Sequence, residues 1–421
     1  MSEQKFIIKG GKPLKGSVKV QGAKNSVLPI IAAALMCEGE TVLYNCPCIS
    51  DTYASCRILS HLGCKCSFSK KENMLDIVPS GTDKAFIPDE LMQEMRSSII
   101  YMGAMLGAFG ECKLSFPGGC QLGPRPIDMH ISALRKMGVS VKEQYGCIEC
   151  RVNKKIRGTR IALGYPSVGA TENVILAAVK AEGETVISNA AREPEIADLA
   201  GFLCKCGAKI KGAGCSNITI EGVDKLRGCT YTIMPDRIAA ATYISSAVCS
   251  GGEIELRGID MQLCENFMAV FEQMGCGIYP NDGGIYVNAR KKLKAPSKII
   301  TLPHPGFPTD AQPPIMAAVC KAKGTTIFEE TVFEDRYRHV DALVKMGADI
   351  KVIGKAAIIN GADTLYGAKV SAFDLRGGAA LTAAAIGAEG VSEISGICYI
   401  DRGYDNIEKV LSELGGDIKR V

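Results

Sequence analysis

With 421 residues and 47% apolar side chains, the chain has material for about two or three domains, each with a sizeable core. Its 49 basic residues against 45 acidic ones leave a net charge of +4, too small an excess for a protein that lives by neutralising polyanions, so nucleic acid is excluded as a main partner. The start, MSEQKFIIKGGKPLKG, lacks the apolar core of a signal peptide, and the apolar runs Val27–Cys37 and Ile99–Phe109 fall short of the ~20 residues that span a bilayer. A cytoplasmic protein with no membrane partner is expected.

Nineteen cysteines need a reading of their own. The close pairs Cys46/Cys48, Cys64/Cys66 and Cys204/Cys206 each have one intervening residue, and the zinc-like spacing occurs once, at Cys147 and Cys150. Reduced thiols and no metal are expected.

In chain order, two short strands, Lys5–Gly10 and Ser17–Val20, precede a small-residue apolar helix opened by Lys24 and Asn25 in GAKNS. Next comes a helix mixing charge with apolar residues, Asp51–Leu62, which ends in HLG and runs at once into a short alternating strand. That ending recurs as HLGCKCSF, KMGVSVKE, KCGAKIKG, QMGCGIYP, KMGADIKV and ELGGDIKR. The recurring glycines, Gly63, Gly138, Gly207, Gly275, Gly347 and Gly415, keep a period of roughly 70 residues, the mark of a repeated structural unit. Glycine there suits a left-handed helix cap.

Each unit also holds a second helix, almost uniformly small and apolar, as in Ile238–Val248 or Leu381–Ala388, which implies burial on all sides. Three such units pack as an inside-out α/β barrel, with buried helices within and sheets outside. Six units predict two three-repeat domains, residues 24–234 and residues 1–23 with 235–421, joined by two chain crossings that leave a cleft between them.

The starts of the six buried helices carry polar groups: Lys24 and Asn25, Arg96 in EMRSS, Ser167 in SVGATEN, Asp236 and Arg237 in MPDRI, Asp310 in FPTDAQ, and Asp374 and Arg376 in DLRGG. Helix N-termini expose unpaired N–H groups and suit anions. Further arginines occupy loops: Arg192 in NAAREPEIAD, Arg336 in FEDRYRHV and Arg402 in YIDRGYDNIE. The densest chemistry lies in FPGGCQLGPRPIDMH, residues 116–130, where glycines and prolines predict a loop over 117–126 that carries Cys120 and Arg125, followed by Asp128 and His130. Phosphate-loop and dinucleotide glycine motifs are absent.

Taken together and in order, VQGAKNSVLP, FPGGCQLGPRPIDMH, YPSVGATEN, NAAREPEIAD, MPDRI, HPGFPTDAQ, ETVFEDRYRHV, DLRGGAALTAA and YIDRGYDNIEKVL resemble the enolpyruvyl transferases that act on UDP-N-acetylglucosamine, over nearly the whole chain. The resemblance implies transfer of the enolpyruvyl group of phosphoenolpyruvate to the sugar 3-hydroxyl with release of phosphate, the first committed step of peptidoglycan synthesis. It implies no cofactor and no obligate protein partner. Cys120 matches the family's proton donor, the target of fosfomycin-type epoxides, and Asp310 its general base. Lys24, Arg125 and Arg402 match positions that hold phosphoenolpyruvate, with Arg336 and Arg376 nearby. Asn25, Arg96, Arg125, Pro126, Ile127, Asp128, Met129, Ser167, Val168, Gly169, Asp310 and Val332 match positions that contact the sugar nucleotide. Ile100 departs from the pattern, since some relatives have tryptophan there. Two alternatives stay open: a transferase acting on shikimate 3-phosphate, whose GNAGTA-type segment is missing here, and a non-catalytic sugar-nucleotide sensor.

Overall fold

The computed structural model describes residues 4–81, 84–116 and 127–421. The segment 117–126, with Cys120, Arg125 and Pro126, lies outside the described residues. The described chain divides into two compact units, one formed by residues 4–21 and 235–421, the other by residues 22–116 and 127–234.

Each unit contains three four-stranded sheets, and all six are wired alike. An edge strand runs parallel to its neighbour, as Lys298–Ile300 does to Thr325–Glu329, and the remaining two pairings are antiparallel. The glycine signal of the sequence explains the repetition. Gly63, Gly138, Gly207, Gly275, Gly347 and Gly415 all have φ between 86° and 105°, a region that side-chain-bearing residues avoid. Each therefore stops a helix and turns the chain directly into a strand.

Some edge strands come from distant parts of the chain. Thr230–Thr232 lies beside Thr41–Tyr44, and Lys15–Lys19 beside Glu253–Arg257. Phe6–Lys9 sits between Val391–Ser395 and Asp417–Arg420.

Six helices form the cores: α1 (Lys24–Ala34), α2 (Tyr101–Phe109), α3 (Val168–Ala178), α4 (Arg237–Ser250), α5 (Gln312–Val319) and α6 (Leu375–Gly387). In the 235–421 unit α4, α5 and α6 pack on one another, and α4 is buried from Arg237 to Cys249. In the other unit α2 packs against both α1 and α3. Small residues make such approaches possible. A Cβ on Gly103 would lie 2.4 Å from the Asn173 carbonyl oxygen, and one on Gly387 2.1 Å from that of Cys249. The charged helices, such as Ser50–His61 and Ile407–Glu413, bury only one face. Among the described residues no helix is long and apolar enough to cross a membrane.

Candidate active site

The polar groups expected at helix starts are found there. α1 opens at Lys24. Ser167 caps α3, its hydroxyl accepting from Ala170 N at 3.3 Å. Asp236 caps α4 by accepting from Ile238 N and Ala239 N at 2.8 and 3.0 Å, and Asp374 caps α6 through Arg376 N and Gly377 N at 3.0 and 2.9 Å. Two starts differ in detail. Arg96 and Asp310 belong to 3-10 turns, Arg96–Ile100 and Thr309–Ala311, that lead into α2 and α5.

Within the 235–421 unit the structure brings three candidates together around Asp310. Its Oδ1 accepts from Arg336 Nη2 at 2.9 Å and its Oδ2 from Arg376 Nη2 at 3.3 Å. Both arginines are buried, whereas the Asp310 side chain keeps 28% of its surface open to solvent. The Thr309 carbonyl holds Arg336 further, accepting from Nε and Nη2 at 3.1 and 2.7 Å. Arg376 lies 5.4 Å over the Tyr404 ring, with the Tyr404 hydroxyl beside its guanidinium, and among the described residues its buried Nε and Nη1 make no hydrogen bond. Buried donors left in this state mark a place where a ligand oxygen can be received.

Neighbouring residues hold this arrangement in place. Glu330, buried, accepts from Val332 N and Phe333 N through Oε1 at 2.8 and 3.1 Å, and from Thr309 Oγ1 through Oε2 at 3.0 Å. It thereby ties the Val332 turn to the residue before Asp310. His339 donates from Nδ1 to the Arg336 carbonyl at 3.2 Å, and burial pushes its imidazole down to about 4, so it is neutral. Arg402 ends the turn Ile397–Arg402 and is half-buried. The Gln21 side chain secures residues 403–405, donating to the Gly403 carbonyl at 3.0 Å and accepting from Asp405 N at 2.8 Å. A Cβ on Gly403 would meet Leu375 Cδ2 at 2.7 Å, so this turn packs directly on the start of α6.

In the 22–234 unit, Lys24 is nearly buried and its Nζ lies 2.7 Å from Asp51 Oδ2. A cation at a helix N-terminus works against the helix dipole, and Asp51 offsets that repulsion. Next along α1, Ser26 donates to Asp198, which also accepts from Tyr231 OH at 2.8 Å and Met234 N at 3.2 Å. Burial raises the Asp198 carboxyl above its usual range. In NAAREPEIAD it is therefore Asp198, within the helix Pro194–Lys205, that fastens this segment to α1, while Arg192 is exposed.

The motif residues from Ile127 onward lead into a helix, Asp128–Lys136. Asp128 and Met129 line a cavity of about 200 Å³ with Ser132, Lys136, Leu163 and Gly164, just upstream of the α3 N-terminus at Ser167. His130 is fixed from below. Asn173 Oδ1 accepts from Gly103 N at 2.6 Å, so its amide nitrogen is the donor to His130 Nδ1 at 2.9 Å and the imidazole proton sits on Nε2. Burial pushes His130 down to about 4, and a Cβ on Gly169 would lie 3.5 Å from that Nε2. Val168, Gly169, Ile127, Asn25 and Arg96 are each half-buried. Among the described residues no cluster of His, Cys, Asp or Glu could hold a metal ion.

The sequence pattern does not single out Gln21, Asn173, Asp198 or Glu330. Each acts on a partner distant in the chain or through a backbone group, and no local pattern marks such a role.

Comparison with known proteins bears on the family. The sequence model of the EPSP synthase (3-phosphoshikimate 1-carboxyvinyltransferase) family matches residues 8–411. UDP-N-acetylglucosamine 1-carboxyvinyltransferase 2 of Caldanaerobacter subterraneus subsp. tengcongensis is 48% identical over 417 residues, covering 99% of each chain. UDP-N-acetylglucosamine 1-carboxyvinyltransferase of Halothermothrix orenii is 46% identical, again with 99% of each chain covered. Among solved structures, the enolpyruvyl transferase NikO from Streptomyces tendae superposes with a TM-score of 0.90 at 22% identity, over 100% of this chain and 99% of that one. EPSP synthase from Acinetobacter baumannii has a TM-score of 0.78 at 20% identity, with 100% of both chains covered, and at these identities the likeness concerns the fold alone. With relatives nearly half identical along their whole lengths and a family match across almost every residue, the chain belongs to the enolpyruvyl transferase family, in its UDP-N-acetylglucosamine 1-carboxyvinyltransferase branch.

Proposed function

We propose that this protein is the cytoplasmic enzyme that transfers the enolpyruvyl group of phosphoenolpyruvate to the 3-hydroxyl of UDP-N-acetylglucosamine, releasing phosphate and committing the sugar to peptidoglycan. The observation that carries this reading beyond relatedness is the Asp310 cluster, a part-exposed carboxylate held by two buried guanidiniums, one of which has buried donors that make no hydrogen bond among the described residues. Addition followed by elimination needs a base for the attacking hydroxyl, an acid for the methylene carbon and cations for the donor's phosphate and carboxylate.

In this reading Asp310 takes the hydroxyl proton on its open side, while the arginines hold its orientation. Cys120 delivers the proton to the methylene carbon. Lys24, Arg125 and Arg402 bind phosphoenolpyruvate, assisted by Arg336 and Arg376; planar forks suit its carboxylate, and the Lys24 ammonium exchanges Asp51 for phosphate. The sugar nucleotide runs along Asn25, Arg96, Arg125, Pro126, Ile127, Asp128, Met129, Ser167, Val168, Gly169 and Val332. Its diphosphate meets the amides at the start of α3, and its base enters the cavity beside Asp128 and Met129. Proton transfers and charge stabilisation suffice, so no cofactor is required. The reaction draws on residues 24–234 and on residues 1–23 with 235–421, each of which we infer to be a three-repeat inside-out barrel.

The test is phosphate release from phosphoenolpyruvate with either UDP-N-acetylglucosamine or shikimate 3-phosphate as acceptor. Turnover is expected with the sugar nucleotide alone. Release with shikimate 3-phosphate would favour the sister activity, and release with neither would favour a sensor.

A further inference from the structure

Arg402 closes the turn Ile397–Arg402, and the segment after it, residues 403–406, has little regular structure of its own. Gly403 N and Tyr404 N both donate to the Ile400 carbonyl at 3.1 Å, which leaves the rest of the segment to be fixed from elsewhere. Asn406 has a φ of 50°, a left-handed conformation uncommon outside glycine. Backbone of this kind keeps one shape only where its surroundings hold it.

The holding group is the Gln21 carboxamide. Its Nε2 donates to the Gly403 carbonyl at 3.0 Å, and its Oε1 accepts from Asp405 N at 2.8 Å. The Gln21 main-chain carbonyl accepts in turn from Asp236 N at 2.8 Å, so the same residue is fixed to the cap of α4. The demand on the side chain is specific. Gly403 offers a carbonyl and Asp405 an N–H, and a carboxamide answers both in one plane, whereas a carboxylate has no donor and an ammonium no acceptor. Water could satisfy the two groups singly, but it would not set the spacing between this segment and α4.

Tyr404 secures the segment from the inner side. Its ring is buried beneath Arg376, and its hydroxyl lies 2.7 Å from Thr242 Oγ1 on α4. Arg402 therefore departs from a stretch of chain that is packed against Arg376 through Tyr404 and pinned at its backbone by Gln21.

We propose that Gln21 is a positioning residue for the transfer, setting where the Arg402 guanidinium stands against phosphoenolpyruvate; this rests on the reading of Arg402 as a cation for that substrate. Gln21 acts through the backbone of residues 403–405. A misplacement of ~1 Å in a group that grips substrate costs up to ~10²-fold, so the orientation of this turn is worth fixing. The effect falls on one substrate, because Arg402 is assigned to phosphoenolpyruvate and not to the sugar nucleotide.

The experiment combines initial-rate kinetics, varying each substrate in turn, with hydrogen exchange on the full chain. The proteins are wild type, Gln21→Met, Gln21→Asn, Arg402→Lys and the double variant Gln21→Met/Arg402→Lys. Methionine keeps the length without the polar atoms, and asparagine keeps the amide one methylene short, so both break the bridge. Both single Gln21 variants should exchange faster at the amides of residues 403–406. Their KM for phosphoenolpyruvate should rise about tenfold, with KM for UDP-N-acetylglucosamine changed less than about twofold. In the Arg402→Lys background Gln21→Met should add less than about twofold, since the group it positions is already altered. An unchanged KM for phosphoenolpyruvate in both Gln21 variants, an equal rise in both KM values, or full additivity in the double variant would overturn the proposal. An unchanged KM for phosphoenolpyruvate in Arg402→Lys would instead strike the reading of Arg402 itself, and the proposal with it.

Discussion

Asp310 has a structural use that the geometry shows, and the chemical use we propose for it rests on its open side. Its carboxylate binds Arg336 and Arg376, yet part of it faces solvent, where a substrate hydroxyl can reach it. Asp310→Asn retains the shape and removes the proton acceptor, so steady-state kinetics should show kcat lowered about 10²- to 10⁴-fold with a smaller change in KM for the sugar nucleotide. Cys120 should be the thiol that takes up a fosfomycin-type epoxide, and peptide mass mapping after exposure would reveal an adduct elsewhere if that is wrong. Burial keeps two of the other thiols out of competition, since it pushes Cys264 and Cys276 up to about 12, which keeps them protonated and unreactive. Those thiols serve as small apolar side chains in the packed interior, which answers for part of the high cysteine count.

The buried histidines predict a pH dependence whose sign can be worked out. His130 and His339 have folded values of about 4, below their ordinary 6.5. Their stability contribution is therefore complete above pH 6.5 and is lost as pH falls through 4, because the unfolded chain takes up protons the native state refuses. Buried Glu172, raised well above its usual range by burial and then by Glu195 and Glu193, acts in the opposite sense, favouring the fold at low pH and losing that contribution as pH rises. Denaturant titrations of wild type and His130→Gln separate the two. Between these pH limits the variant's stability should fall less steeply, by up to one proton, or about 1.4 kcal/mol per pH unit. Equal slopes would mean that His130 is protonated in the folded state.

At the scale of elements, much of the fold was legible because the signals are local. A glycine with positive φ after an amphipathic helix repeats six times, and each occurrence ends a helix where the sequence says it should. Uniformly small apolar helices were likewise readable as buried, and α4 is buried along nearly its whole length. The helix caps at Ser167, Asp236 and Asp374 were legible from residue type alone. Asp374→Ala should cost about 1 kcal/mol, measured by chemical denaturation, because two amide donors of α6 lose their acceptor. Gly103→Ala should cost more, ~2–3 kcal/mol, since its Cβ would press on the backbone of α3.

Long-range pairing was not legible in the sequence. Ser26 and Asp198 are 172 positions apart, and Gln21 and the Gly403 carbonyl 382. No periodicity links such residues, so the fastening of α1 by Asp198 and of the Arg402 turn by Gln21 emerges only once the chain is folded. Arg192 illustrates the converse: an arginine in a motif-like loop draws attention, while the acidic residue six positions later makes the contacts.

At the scale of the whole molecule, six similarly wired four-stranded sheets and six buried helices among the described residues supply two scaffolds, and the chemistry we propose lies at their helix starts. The central claim is that these groups serve one transfer, from phosphoenolpyruvate to one hydroxyl of one sugar. The most direct test is nuclear magnetic resonance of the product formed from ¹³C-labelled phosphoenolpyruvate and UDP-N-acetylglucosamine. The account predicts a long-range correlation joining the enolpyruvyl vinyl carbon to the proton on sugar carbon 3, with one phosphate released per product; attachment at any other position, or phosphate released without an ether product, would contradict it.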